Sequence, residues 1–202
     1  SFNLPLSHFE NNREVFSSYE HFKNLVREND LLYQSKLCQE GVLYLVNSLI
    51  VLHHLSFREV ESVIRYCEIY EVLAEGNGLG QDINFGYVLF RFAGIFIFCF
   101  YPNVANKIIE GNPEMEEVGK IFGIDRLPFI PDLERRPTLE EVIITGLCFG
   151  YGTNVRNSPI HDQESRRMWN DWIEGLFNNV LTPSDRGKVR ILKESITKMR
   201  LM

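Results

Sequence analysis

The sequence predicts an all-α fold of about eight to nine helices packed as an orthogonal or irregular bundle, with room for two subdomains. After Pro5, apolar residues recur at helical spacing in almost every segment, whereas the alternation typical of strands is scarce. Residues that commonly begin helices also stand at suitable places. Asp30 and Ser56 can act as N-caps, and Thr182 precedes the last helix as a further N-cap.

Each predicted element has a local reason. The second helix is apolar on nearly all sides and is therefore expected in the core. Ser56 and Glu59 have the spacing of a capping box at the start of the third helix. Prolines begin three later helices at first-turn positions. The predicted helices span residues 7–28, 30–54, 56–74, 82–101, 102–110, 113–122, 138–149, 161–180 and 183–201.

The best internal boundary is PFIPDLERRPT, residues 128–138, because its three prolines prevent a helix from continuing. We therefore expect a helical lid-like domain at 1–127, a proline-rich connection at 128–137 and a C-terminal helical subdomain at 138–202. The opening SFNLPLS resembles a cut strand or linker and suggests a fragment of a longer protein.

Composition narrows the class of protein. The chain has 202 residues, a net charge of −6 and 45% hydrophobic residues, enough for one sizeable core or two small ones. Its mild acidity and lack of a long basic block argue against nucleic-acid binding. The four cysteines lie far apart in the sequence without a CxxC pair, and no secretory signal is visible. We expect buried thiols in the reducing cytoplasm.

The most apolar stretch, YVLFRFAGIFIFCFY at residues 87–101, invites a membrane interpretation. It contains Arg91 and is 15 residues long, whereas a membrane-spanning helix needs about 20 predominantly apolar residues. A buried helix is therefore favoured, with the arginine reaching the surface or pairing with a carboxylate, and no membrane span is expected.

Three glycines, Gly76, Gly78 and Gly80, imitate a phosphate-binding loop. They follow a predicted helix instead of a strand, and their spacing matches neither the dinucleotide fingerprint nor the Walker A pattern. A turn is the preferred interpretation.

Two groups containing histidine also have structural explanations. His53 and His54 are adjacent, so their side chains point about 100° apart on a helix and do not form an i, i+4 metal pair. We expect them to end the second helix. His161, Asp162 and Glu164 lie close together and could serve a small helical enzyme, but acidic residues at a helix start are favoured by the helix dipole alone.

Trp169 and Trp172 lie three residues apart on one face of a predicted helix. The simplest interpretation places both in the core, and the alternative makes them a partner-binding anchor. The second interpretation leads to one candidate function, a stand-alone helical protein–protein interaction module with a groove or patch in the C-terminal third. Its partner would be another protein or a second copy of the chain.

Three segments, in order, resemble part of a known family. They are FNLPL (2–6), LSFREVESVIRY (55–66) and FRFAGIFIFCFYPNVANKIIEGNPEMEEVGKIFG (90–123). Together they are similar to the region of KAP-type P-loop NTPases downstream of the Walker B strand, where a hydrophobic-x-Leu-Pro segment leads into helices with a Leu-Ser-x-Arg-acidic start. The resemblance covers about the first 125 residues.

The resemblance implies the C-terminal helical lid or regulatory domain of such an ATPase. The chain has neither Gly-x4-Gly-Lys-Ser/Thr nor an apolar strand ending in acidic residues. It would not be catalytic alone and would couple nucleotide state to partner binding. ATP and Mg²⁺ would bind to the N-terminal P-loop domain of the parent protein, and this fragment would hold no cofactor. That P-loop domain would be the first partner of the fragment. Prokaryotic family members are linked to phage defence.

Within this resemblance, Arg58 and Arg65 become candidate nucleotide sensors. A cation in the first turn of a helix costs roughly 0.3 to 1 kcal/mol, and Arg58 occupies such a position. A guanidinium there can meet the γ-phosphate of a bound nucleotide, and Arg65, two turns along, extends the basic surface. The alternatives are ion pairs: Arg58 with Glu61 or a carboxylate of the first helix, and Arg65 with Glu61 or Glu68.

Overall fold

A computed structural model describes residues 7–10, 13–125, 135–152, 163–177 and 182–201 of the chain. Nine α-helices lie in these described ranges, which confirms the all-α class and the predicted number of helices. The helices are α1 Ser17–Glu28, α2 Glu40–His53, α3 Phe57–Leu73, α4 Phe85–Phe100, α5 Pro102–Glu110, α6 Met115–Ile121, α7 Leu139–Tyr151, α8 Gln163–Leu176 and α9 Asp185–Met199.

The start of the chain differs from the prediction of a single helix at residues 7–28. Strands β1 Ser7–Glu10 and β2 Arg13–Phe16 pair in antiparallel fashion, and α1 begins directly after them at Ser17. The two strands are separated in the sequence by two asparagines, a residue type enriched in hairpin turns. Pairing between these two neighbouring strands has overridden the weak helical pattern of this segment.

Two predicted N-caps are also wrong. Asp30 does not begin α2. The Asn29 side chain instead accepts hydrogen bonds from two backbone N–H groups of the following turn, each at 3.0 Å, and α2 begins only at Glu40. At the last helix, the cap is Ser184 in place of Thr182, because the Ser184 hydroxyl accepts a hydrogen bond from the Gly187 N–H at 3.2 Å.

The chain divides into two compact units, Ser1–Gln81 and Asp82–Met202. In the first unit, α1 packs against α2 and α3. The loop after α3 is tied down by Glu71, a buried carboxylate that accepts a hydrogen bond from the Leu79 N–H at 2.6 Å. A Cβ atom at Gly78 would lie 2.6 Å from the Glu71 Oε2 atom, so this position leaves no room for a side chain. The glycine-rich segment is therefore a closely packed turn.

The second unit is built around α4, which packs against α9 and α7. Ten of its 16 residues are buried, and the Arg91 guanidinium lies over the Tyr87 ring at 5.6 Å from its centroid. Helices α4 and α9 approach closely at Gly94, where a Cβ atom would lie 2.0 Å from the Ser195 Oγ atom. Of the helices in the described ranges, none is long and apolar enough to cross a membrane.

The division between the units differs from the boundary predicted at residues 128–137. Helix α4 precedes that segment and α9 follows it, yet both belong to the second unit and pack against each other. Residues 128–134 of the proline-rich connection lie outside the described ranges. Prolines stop a helix, but the helices on either side of them still share a core.

Candidate functional site

A pocket of about 400 Å³ lies between the beginning of α7 and the second half of α8, within the second unit. Its apolar surface comes from Leu139, Val142 and Leu176, of which Val142 is buried. Two exposed charged residues, Arg136 and Asp171, also line it. Their guanidinium and carboxylate groups form no ion pair with another described residue. The pocket therefore combines an apolar interior with one charge of each sign.

A capping box holds the α7 side of the pocket. The Thr138 hydroxyl accepts a hydrogen bond from the Glu141 N–H at 3.3 Å, and the Glu141 carboxylate accepts one from the Thr138 N–H at 2.7 Å. The same carboxylate also accepts hydrogen bonds from both terminal nitrogens of Arg135, at 3.0 and 2.6 Å. Because Arg135 takes up this carboxylate, the neighbouring Arg136 side chain stays available at the pocket.

Helix α8 places the two predicted tryptophans in different environments. Trp169 is 3% exposed and belongs to a buried row with Ile173 and Phe177, at i, i+4 and i+8. Trp172 is half-buried and lines the pocket. One tryptophan thus takes the core position and the other reaches a concave surface in the C-terminal third. The other residues that line the pocket were not predicted from the sequence. The one available indication was the pair of arginines in the RRPT segment before α7, which includes Arg136.

The two predicted nucleotide-sensing residues lie on the exposed side of α3. Arg58 and Arg65 are both exposed, and no ion pair joins either guanidinium to another described residue. The carboxylates proposed as their partners are engaged elsewhere: Glu61 lies 3.1 Å from the His21 Nε2 atom, and Glu68 accepts a hydrogen bond from the Asn29 side-chain amide. The described contacts therefore do not include the ion pairs considered as alternatives.

The other sequence-derived candidates are not brought together into a site. His54 is the exposed C-cap of α2, with a left-handed backbone at φ 51°. Glu164 is exposed in the first turn of α8, while His161 and Asp162 lie outside the described residues. Among the residues that the structure describes, no group of three or more His, Cys, Asp or Glu side chains is arranged to hold a metal ion.

Comparisons with known proteins yield no relative. No protein-family model matches the chain, and neither the curated proteins nor the solved structures contain a match.

Proposed function

We propose that this chain is a helical protein–protein interaction module whose recognition site is the pocket beside Trp172. The observation that carries the proposal is the half-buried indole on an apolar pocket of about 400 Å³. Pockets of roughly 300 to 1,000 Å³ are typical of ligand sites, and this one can accept a large apolar side chain. Tryptophan is also among the residues that contribute most to binding at protein interfaces.

The charges at the pocket suggest the chemistry of the bound segment. The Arg136 guanidinium can donate two parallel hydrogen bonds to a carboxylate, a geometry that fixes orientation as well as charge. Asp171 lines the same pocket, and its negative charge disfavours a carboxylate of the partner beside it. We infer that the partner presents an apolar anchor residue with an acidic neighbour on the Arg136 side.

Filling the pocket tests the proposal. Gly175 lines the pocket, and a Cβ atom added there meets no atom within 4 Å, so Gly175→Leu can occupy the space without distorting α8. Peptides are selected on the wild-type chain from a display library of random linear peptides, and their affinities are measured by fluorescence anisotropy. Gly175→Leu should weaken the selected peptides at least tenfold.

The matched control is Asn170→Leu, which adds the same side chain to an exposed position of α8 that does not line the pocket. It should change affinity by less than a factor of about two, because it leaves every residue that lines the pocket unchanged. Equal affinities for the wild-type chain and Gly175→Leu would overturn the assignment of the site.

A second candidate function is the lid of a KAP-like ATPase that senses nucleotide through Arg58 and Arg65. The observation in its favour is the pair of exposed guanidinium groups, seven residues apart on α3, without an ion pair to any described residue. In the protein that carries a P-loop domain, Arg58→Ala should slow ATP turnover while the helical content stays constant. Lys120→Ala, which removes an exposed cation from α6, is the control. Unchanged turnover in Arg58→Ala would remove the sensing role.

A location in the cytoplasm is part of the first proposal. The four cysteines, all within the described ranges, form no disulfide, which is the usual state of thiols in a reducing compartment.

A further inference from the structure

One helix face in this acidic chain is strongly basic. Helix α9 buries one side in the second unit and exposes the other. Arg186, Arg190, Lys193 and Arg200 stand at i, i+4, i+7 and i+14, and at 100° per residue they fall within an arc of about 80°. We call these four residues the α9 stripe. With a rise of 1.5 Å per residue, the stripe is about 21 Å long.

The positive charge of the α9 stripe is largely uncompensated. Arg190 faces Glu194 at 3.6 Å, but both side chains are mostly exposed, and such pairs contribute little. The other three cations form no ion pair with another described residue. By contrast, Lys188 on the buried side of the helix donates to Asp185 at 2.7 Å. Three of the four cations of the α9 stripe are thus without an ion pair among the described residues, whereas the buried cation of the same helix has one.

Overall composition does not account for this cluster. The chain carries a net charge of −6, and its second unit holds 15 basic and 16 acidic residues, which is close to balance. A random arrangement of these charges would mix the signs along an exposed helix. Four cations within one narrow arc create a local positive potential that a complementary negative surface can use.

We propose that the α9 stripe binds an acidic helical segment of a partner protein, with carboxylates at matching i, i+4 and i+7 positions. The spacing favours a helix because its side chains repeat with the same period as the stripe. Arginine supplies three of the four cations, and its guanidinium recognises carboxylates through paired hydrogen bonds. Leu201, which is 77% exposed, offers an apolar contact next to Arg200.

The charge distribution favours this occupant over a nucleic acid or an anionic membrane. Because charges more than about 8 Å away are screened at physiological salt, a short acidic segment on the stripe senses mainly the stripe. A long polyanion extends beyond the stripe over a chain of net negative charge. An interfacial membrane helix also inserts an apolar face, and the apolar face of α9 is buried in the core. This inference is independent of the pocket beside Trp172.

A pair of synthetic helical peptides tests the proposal. One carries glutamate at the stripe spacing with a leucine at the end that meets Leu201, and the other carries glutamine at the same positions. Binding to the full chain is followed by fluorescence anisotropy at low and at physiological salt. The glutamate peptide should bind at least tenfold more tightly than the glutamine peptide at low salt, and its advantage should shrink as salt rises.

Charge-reversal substitutions test whether the glutamate peptide binds at the α9 stripe. Arg186→Glu combined with Lys193→Glu should lower affinity for the glutamate peptide at least tenfold. The control is Arg27→Glu combined with Lys120→Glu, which changes the net charge equally at exposed positions of α1 and α6 and should change affinity less than twofold. Equal losses in the two variants would overturn the assignment. Tighter binding to duplex DNA or to phosphatidylserine vesicles than to the peptide would also overturn it, in favour of those polyanions.

Discussion

The close approach of α4 and α9 gives a sharp prediction about stability. In Gly94→Ala, the added Cβ atom would lie 2.0 Å from the Ser195 Oγ atom and 2.8 Å from the Leu192 carbonyl oxygen, whereas ordinary contact begins at 3.4 Å. The serine hydroxyl can rotate, but the carbonyl belongs to the backbone of α9. The two helices must therefore separate locally by about 0.6 Å, the difference between 3.4 and 2.8 Å.

The expected cost follows from two opposing effects. Overpacking a well-filled core costs typically 1 to 3 kcal/mol, and alanine gains about 0.8 to 1 kcal/mol over glycine in a helix. The net loss in free energy of unfolding should be roughly 0 to 2 kcal/mol. The matched control is Gly175→Ala on α8, whose new Cβ atom meets nothing within 4 Å. It should raise the free energy of unfolding by up to about 1 kcal/mol.

Urea denaturation followed by tryptophan fluorescence measures both variants. The chain has two tryptophans, Trp169 and Trp172, both in the second unit, so the signal reports that unit even if the two units unfold separately. Adding Ser195→Ala to Gly94→Ala should recover part of the loss, because it removes the nearer contact and leaves the carbonyl contact in place. Equal stabilisation by the two glycine substitutions would refute the close helix contact.

Four further substitutions test local interactions. Ser56→Ala removes the capping box of α3 and should lower the thermal stability measured by circular dichroism, at a cost of about 0.5 to 2 kcal/mol. The hydrogen bonds from Ser56 lower the pKa of Glu59 below its usual 4.5. Their contribution is present above that pH and lost as pH falls through the lowered value, so Glu59→Gln should flatten the acid side of the stability profile measured by circular dichroism. Glu71→Ala leaves the Leu79 N–H unpaired and should cost about 1 to 3 kcal/mol in chemical denaturation. Burial raises the pKa of Tyr151 to about 12, so stability should fall as pH rises from 10 toward 12, and Tyr151→Phe, checked by ultraviolet titration and alkaline melting, should reduce that fall.

Elements with strong local signals could be predicted from the sequence. The capping box at Ser56 begins α3 as expected, and α5 has the predicted bounds because a proline opens it and Gly111 closes it with a left-handed backbone. The strand pair β1 and β2 was missed because its stability depends on pairing between the two strands. Each strand is only four residues long, which leaves too few positions for alternation to compete with a helical pattern.

The candidate site could be predicted only in part. The spacing of Trp169 and Trp172 indicates a shared helix face, but the packing of α8 against α4 decides which indole is buried. Arg136 could not be assigned to a pocket because it lies in a proline-rich segment without periodicity. The pairing of the neighbouring Arg135 with the Glu141 carboxylate, six residues further on, also has no helical spacing that would have indicated it. Side-chain convergence of this kind depends on distances between helices, which no single helix pattern contains.

The two exposed basic surfaces, formed by Arg58 and Arg65 on α3 and by the α9 stripe, lie in units of different net charge. Arg58 lies in a unit with six basic and eleven acidic residues. The field of that excess favours a cation at almost any surface position and offsets part of the dipole cost in the first turn. Exposure without an ion pair is therefore weak support for a ligand there. The α9 stripe lies in a unit of nearly balanced charge, where four neighbouring cations repel one another with little compensation. A cluster that costs stability is better explained by a partner that neutralises it, so the structural argument for binding is stronger at α9 than at α3.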